Sequence, residues 1–287
     1  MDTPRRRDGT LAGYRDEARR AGITLAEVFL RREAAGGQPE ADLRARMQDR
    51  IAVMRQALER GLASPQNSRS GMVRGGAARM ARWPGPGAPL LGPAFSRMVA
   101  SALAVAEVNA CMGRVVAAPT AGACGVLPAA IFTVADARGA DPEAVLRAFF
   151  TAGGIGLVIE KLASLSGAEG GCQAEVGSAS AMAAGGLVEL LGGSPEQVDH
   201  AVAFALANLL GLICDPVGGL VEVPCIQRNV MGAVNAVACA EMALAGLESP
   251  FGADAVIETM GKVGRRLPEE FRETARGGLA VAPREPR

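Results

Sequence analysis

The chain has 287 residues, of which 49% are hydrophobic, only 3% aromatic and 21% charged, with 30 basic and 30 acidic side chains giving a formal net charge of zero. That length buries one large core or a main domain plus a smaller one, and with so few aromatics the packing falls to Ala, Val, Leu, Ile and Met. Balanced charge and scarce aromatics exclude the cation surplus and stacking platforms that nucleic-acid binding draws on, and no apolar run approaches the roughly 20 residues that span a bilayer.

Residues 1–63 form an N-terminal segment, charged and helical in pattern. Its Arg-rich start, "PRRRDGT", reads as a solvated terminus. The N-terminus lacks the apolar stretch of a secretory signal, and Asp8, Asp16 and Glu17 oppose a transit peptide. The expected compartment is therefore the cytoplasm, where thiols stay reduced. Leu43, Met47, Ile51, Met54 and Leu58 recur at three- and four-residue steps, placing one apolar stripe on a helix that ends near Gly61. Residues 64–93 are rich in Gly, Pro and Arg and read as a connecting or lid segment.

From residue 94 to 287 the chain is a succession of apolar helices with short breaks. Asp141-Pro142-Glu143 sets an N-cap before a first-turn proline, and Ser194-Pro195-Glu196-Gln197 is a capping box. Helices are predicted over 95–112, 126–138, 142–164, 177–192, 195–212, 227–246 and 253–267. No alternating pattern of strands persists, so the predicted class is all-α, a bundle-like domain whose Gly- and Cys-rich loops converge on a site.

Three stretches fit least well as helix: "APTAGACGVLPA" (118–129), "SLSGAEGGCQAEVGSAS" (164–180) and "CDPVGGLVEVPCIQRN" (214–229). Irregular backbone between buried helices needs polar partners or a ligand, and each of the three carries a cysteine. Cys111 and Cys239 sit in apolar helical runs and read as small buried hydrophobes. Cys124 fits a site wall or simple packing equally well. Cys172, Cys214 and Cys225 are flanked by turn formers, where metal ligands tend to be. Their separations are too long for a zinc knuckle or a ferredoxin-type run. A disulfide, buried core thiols and a metal site all remain open from spacing; three thiolates on a four-iron cluster would leave one iron as a Lewis acid. Two lysines, Lys161 and Lys262, and one histidine, His200, serve a pyridoxal-phosphate site or a Ser/His/Asp triad poorly.

"GAEGGCQAEVGSASAMAA", "CDPVGGLVEVPCIQRN", "RETARGGLA" and "NACMGRVVAAPTAGACGVLPA" resemble the alpha chain of the iron–sulfur-dependent L-serine dehydratases (L-serine ammonia-lyases), and the likeness runs from the N-terminal helices to about residue 282. The resemblance implies conversion of L-serine to pyruvate and ammonia on an oxygen-sensitive 4Fe-4S cluster held by Cys172, Cys214 and Cys225, with the fourth iron left for substrate. It makes residues 94–287 the helical iron–sulfur catalytic domain. Arg228 then suits the substrate carboxylate, or else a structural salt bridge to Glu222 or Glu175. Ser164, Ser166 and Thr120 are candidates to hydrogen-bond substrate or to cap loops, and Glu169 and Glu175 flank Cys172 as supports.

Departures from the family pattern matter. Leu162 stands in "LASLSG" where fused members have Asn, and the chain ends "APREPR" rather than in a cysteine able to reach the cluster. The Ser-Ser-His-Thr segment of the beta region is absent, so a separate beta chain is the expected partner, with no nucleic acid and no membrane. Two rival readings are an L-cysteine desulfidase-like lyase, which would expel sulfide instead of hydroxide, and a non-catalytic helical subunit with buried, reduced thiols.

Overall fold

A computed structural model describes residues 8–83 and 89–284. Most of the Arg-rich start and positions 84–88 of the expected lid segment lie outside the described residues. Among the described residues there are twelve α-helices and no β-strand, the all-α class expected from the sequence. They are α1 (Leu11–Ala21), α2 (Leu25–Ala35), α3 (Glu40–Ala63), α4 (Gly76–Ala81), α5 (Pro93–Ala110), α6 (Val126–Arg138), α7 (Pro142–Leu162), the four-residue α8 (Gly167–Gly170), α9 (Ser178–Leu190), α10 (Pro195–Ala207), α11 (Cys225–Leu244) and α12 (Ala253–Arg266).

The predicted caps form. Asp141 accepts the Glu143 and Ala144 N–H groups at the start of α7, and Ser194 and Gln197 cap each other's backbone at the start of α10. An unpredicted box of the same kind, Thr24 with Glu27, opens α2. The stripe on α3 also packs as expected: Met54 and Leu58 are buried, while Leu43, Met47 and Ile51 lie against Ala26, Leu30, Leu146 and Phe150.

α9 is the hub. All of its residues are buried, and it packs against α6, α7, α10 and α11. Its run of Ala, Gly and Ser explains this, because short side chains let four neighbours approach one axis. Two of its buried polar side chains are bonded across helices: Ser180 Oγ donates to the Gly232 carbonyl at 2.9 Å, and Glu189 accepts from Thr151 Oγ1 at 3.0 Å. Leu11, Val28 and Met54 from the first three helices share a core with Ile131, Ile155, Leu187 and Leu206.

Two expectations are corrected. The helix predicted over 195–212 stops at Ala207, and residues 208–211 form turns. Asn208 Nδ2 donates to Asn235 Oδ1 (2.7 Å), and the Gly211 N–H, on a residue at φ 81°, turns to Gln173 Oε1 at 2.9 Å. Those side-chain bonds outcompete a further helical turn. The second correction concerns apolar length. Ala121–Arg138 and Pro142–Leu162 are long and apolar enough to cross a membrane by length and composition, although 61% and 72% of those windows are buried in this fold. An apolar run broken by Thr151 or Glu160 looks short in sequence, yet the helix continues through it.

α12 crosses the short α8 so closely that a methyl group on Gly264 would lie 2.7 Å from Gly170 Cα. Gly264→Ala is therefore expected to destabilise the protein by about 1–3 kcal/mol, read as a lower Tm. An unchanged Tm would mean that this crossing is loose.

Candidate metal centre

Four irregular segments meet beside the α9 and α11 N-termini. The first, 118–125, follows a cis Ala118–Pro119 peptide and ends in a 3-10 turn, Ala121–Ala123. The second comprises residues 163–177, including α8 and a π-helical turn, Gln173–Gly177, that runs directly into α9. The third, 213–224, ends in a cis Val223–Pro224 peptide immediately before the first residue of α11. The fourth is 269–279, the "RETARGGLA" region.

Cys172 enters the second segment just after Gly171, whose φ of 75° breaks α8 away from the π-turn. A Cβ at Gly171 would also sit 2.9 Å from the Leu212 carbonyl, so only glycine allows this approach of the second segment to the turn leading into the third. Gln173 ties them. Its N–H donates to Leu212 O (3.0 Å), its Nε2 to Gly170 O (2.9 Å), and its Oε1 accepts from Gly211 N (2.9 Å).

Cys214 is held through its backbone. Its N–H donates to Phe271 O at 2.8 Å, and its carbonyl accepts from Glu273 N at 2.9 Å. Glu273 and Ala275 lie in the left-handed region, at φ 61° and 54°. Such strain persists only where the surroundings over-determine it, and it clusters at functional sites.

Cys225 is the first residue of α11, where the helix dipole favours a thiolate. Asn229, fully buried, clamps this end. Its Nδ2 donates to Cys225 O (2.8 Å) and Gly122 O (2.7 Å), and its Oδ1 accepts from Gly125 N (2.8 Å). The first segment is thereby fixed to the start of α11.

All six cysteines are free thiols. Cys172 and Cys214 are each only 3% exposed, and Cys225 is half-buried. The three interact electrostatically: Cys172 feels Cys225, and Cys214 feels both others. Burial pushes Cys172 up to about 12 and Cys225 up to about 11, and raises Cys214 as well; the Glu175 carboxylate adds to the rise in all three. Arg228 opposes it at Cys172 and Cys225. Buried thiols of this kind give up their protons to a cation rather than to water, as metal-binding thiols do. No three His, Cys, Asp or Glu side chains among the described residues close on one point as ligands of a single ion would. Cys172, Cys214 and Cys225 therefore share a neighbourhood without closing on a single point.

Glu175 lies among them. Its Oε1 accepts from Thr120 Oγ1 at 2.8 Å and its Oε2 from the Cys214 thiol at 3.8 Å. Burial raises its own pKa, and Glu273 adds to that. Arg228 forms an ion pair with neither Glu222 nor Glu175, the two carboxylates expected from the sequence. It pairs with Asp215, Nη1 to Oδ1 at 2.7 Å, and Nη1 also donates to Ile213 O at 2.9 Å. Glu222 instead accepts from Ser68 and Ser70, at 2.8 and 2.6 Å. Asp215 Oδ2 takes the Leu279 N–H at 2.7 Å, so one carboxylate joins α11 to the fourth segment.

The remaining predicted residues divide. Ser166 precedes α8, beside the thiol neighbourhood in sequence. Ser164 donates to Glu169 Oε2 at 2.6 Å and lines a separate cavity. Leu162 is the last residue of α7 and packs partly against the core. Cys124 is fully buried, its thiol 3.9 Å from Val105 O, and packs as core rather than as a site wall. Cys239 is fully buried; Cys111 is half-buried against Val73, Ala106 and Ile226. His200 Nδ1 accepts from Ser249 N. Sequence reasoning passed over Gln173, Asp215 and Asn229. The available signal was adjacency, since each lies within four residues of a loop cysteine.

The sequence profile described as serine dehydratase alpha chain matches residues 20–280. The chain is 45% identical to the probable L-serine dehydratase alpha chain of Bacillus subtilis (strain 168), across 91% of this chain and 87% of that one. It is 41% identical to the L-serine dehydratase alpha chain of Peptoniphilus asaccharolyticus, across 92% and 91%. Against the L-serine dehydratase of Streptomyces coelicolor it is 44% identical over 92% of its own length but only 58% of the relative's. On the profile match and these identities, the chain belongs to the serine dehydratase alpha chain family.

Proposed function

We propose that this chain is the catalytic alpha chain of an L-serine dehydratase, a lyase that eliminates water from L-serine and yields pyruvate and ammonia. The observation that carries the reading is the match to the serine dehydratase alpha chain family over residues 20–280, supported by the irregular segments bearing Cys172 and Cys214 meeting beside the α11 start that bears Cys225. In this reading the three thiolates hold a 4Fe-4S cluster. When bound, the cluster supplies Lewis acidity for loss of the β-hydroxyl.

The chain's own residues bind and orient the substrate. Arg228 commits Nη1 to Asp215 and Ile213, while Nη2 and Nε donate to nothing among the described residues and are left for a carboxylate. Thr120 presents a hydroxyl held by Glu175, and Ser166 a second one at the mouth of α8. Burial of the surrounding segments keeps water from the reacting carbon. The α-proton and the β-hydroxide leave as water, and the aminoacrylate tautomerises to an imine. Hydrolysis then consumes one water and gives pyruvate and ammonium, so atoms balance.

A separate beta chain completes the enzyme in this reading. The alpha chains of the relatives match this one nearly end to end, whereas the Streptomyces protein extends well beyond the match. The only histidine is tied to Ser249, so imidazole chemistry at the thiols would come from that partner. Reducing cytoplasm suits free thiols of this kind.

Anaerobic purification of the chain, alone and with a candidate beta chain, tests the proposal. Iron, sulfide, visible absorbance and pyruvate release are measured together. Iron and sulfide in equal amounts, with pyruvate formed in proportion to them, are expected. Pyruvate formed without iron removes the cluster reading, and an iron-free, inactive complex leaves the chain a non-catalytic subunit.

A further inference from the structure

A cavity of about 290 Å³ lies between α8, α12 and the fourth segment, and none of the three loop cysteines lines it. Its charged lining is Arg265, Arg272 and Glu169, with the Ser164 hydroxyl beside Glu169. The rest is short or flexible: Ala and Gly positions plus Met260.

The charges are not spent on one another. Neither arginine forms an ion pair with Glu169 or any other carboxylate among the described residues, and Arg272 Nε is buried with no hydrogen-bond partner among them. Glu169 accepts only from Ser164, which leaves further lone pairs on the carboxylate. Two guanidiniums and one carboxylate converging on a small cavity complement a molecule that carries both a carboxylate and an ammonium. The short walls admit only a small side chain, and the Ser164 hydroxyl adds a donor and acceptor for a polar one. The volume falls just under the usual range of ligand cavities, about 300–1,000 Å³.

We infer that this cavity is a binding site for a free, small, polar α-amino acid, its carboxylate on Arg265 and Arg272 and its ammonium on Glu169. The cavity is joined to the thiols by covalent neighbours. Gly170 and Ala174 in its wall bracket Cys172, and Arg272 is the backbone bridge partner of Cys214. Occupancy therefore stiffens the two segments that carry those cysteines. The inference stands on the cavity's own charges; only the choice of L-serine as probe rests on the dehydratase reading.

Titration calorimetry on the full chain purified without iron reads binding where turnover cannot interfere. L-serine is expected to bind with a Kd of about 1 mM or tighter. Ethanolamine, which lacks the carboxylate, and 3-hydroxypropionate, which lacks the ammonium, should each bind at least tenfold more weakly. Arg265→Gln, at an exposed position in the last turn of α12, should weaken L-serine about tenfold, with Arg265→Lys recovering part of the loss. Absence of saturable binding, equal binding of either analogue, or an unaffected Arg265→Gln variant overturns the inference. Pyruvate release by the iron-loaded complex is measured beside it. Release with no calorimetric binding defeats the second site alone; binding with no release defeats the dehydratase reading alone.

Discussion

Cys225→Ala is expected to abolish iron retention and to lower serine turnover by about 10³-fold or more, while helicity and Tm stay close to the parent's. The size follows from what a Lewis acid supplies: several kcal/mol of transition-state stabilisation, at about 1.4 kcal/mol per decade of rate. The fold should survive because the thiol contributes little to it. Cys225 is half-buried at the first position of α11, and alanine is the best helix former. The clamp on this helix end runs through the Cys225 carbonyl, which Asn229 grips, and the substitution leaves that carbonyl in place. Iron and sulfide assays with circular dichroism check this. A variant that keeps its iron and its rate would strip Cys225 of a ligand role.

The second large effect is expected at Arg228, on stability and activity together. Arg228→Met leaves Asp215, whose side chain is only 2% exposed, as a buried carboxylate without its counter-charge. Breaking a buried pair in this way costs about 3–5 kcal/mol, which for a chain of this size is a fall in Tm of about 10 °C. The damage should be specific to the pair. Adding Asp215→Asn removes the stranded charge and keeps an oxygen for the Leu279 N–H, so the double variant should recover much of the lost stability. Turnover should not return with it if, as proposed, the guanidinium takes the substrate carboxylate, because that guanidinium is still missing. A single variant of unchanged Tm but raised KM would make Arg228 a substrate contact only. A double variant that regains both stability and rate would make it a strut only.

The helices were legible because their signals are local. Asp141-Pro142 and Ser194-Pro195 fix the starts of α7 and α10 by hydrogen bonds within three residues, and the apolar runs behind them leave no alternative period. α10 shows where such reading ends. Its stop at Ala207 depends on Asn235 and Gln173, partners 27 and 38 residues away, and no local pattern reveals them. The same holds for Arg228. The sequence offered Glu222 or Glu175 as a salt-bridge partner, but the loop returns so that Asp215 takes the guanidinium, leaving Glu222 to two serines. The context of the loop cysteines has a backbone explanation. Cys172, Cys214 and Cys225 were singled out by turn-forming neighbours, and Gly171, the cis Val223–Pro224 peptide and the turn at Glu273 are the backbone devices behind that composition. The cavity at Arg265 and Arg272 was invisible, since its charges come from α8, α12 and the fourth segment and meet only in the folded chain.

Iron content across six single Cys→Ser variants, each loaded and purified anaerobically, is the most direct measurement. The parent should hold about four irons per chain. Replacement of Cys172, Cys214 or Cys225 should each strip most of that iron, whereas Cys111, Cys124 and Cys239 variants should keep it. Full iron in any of the first three, or an equal loss in the other three, would contradict a centre built on those thiols.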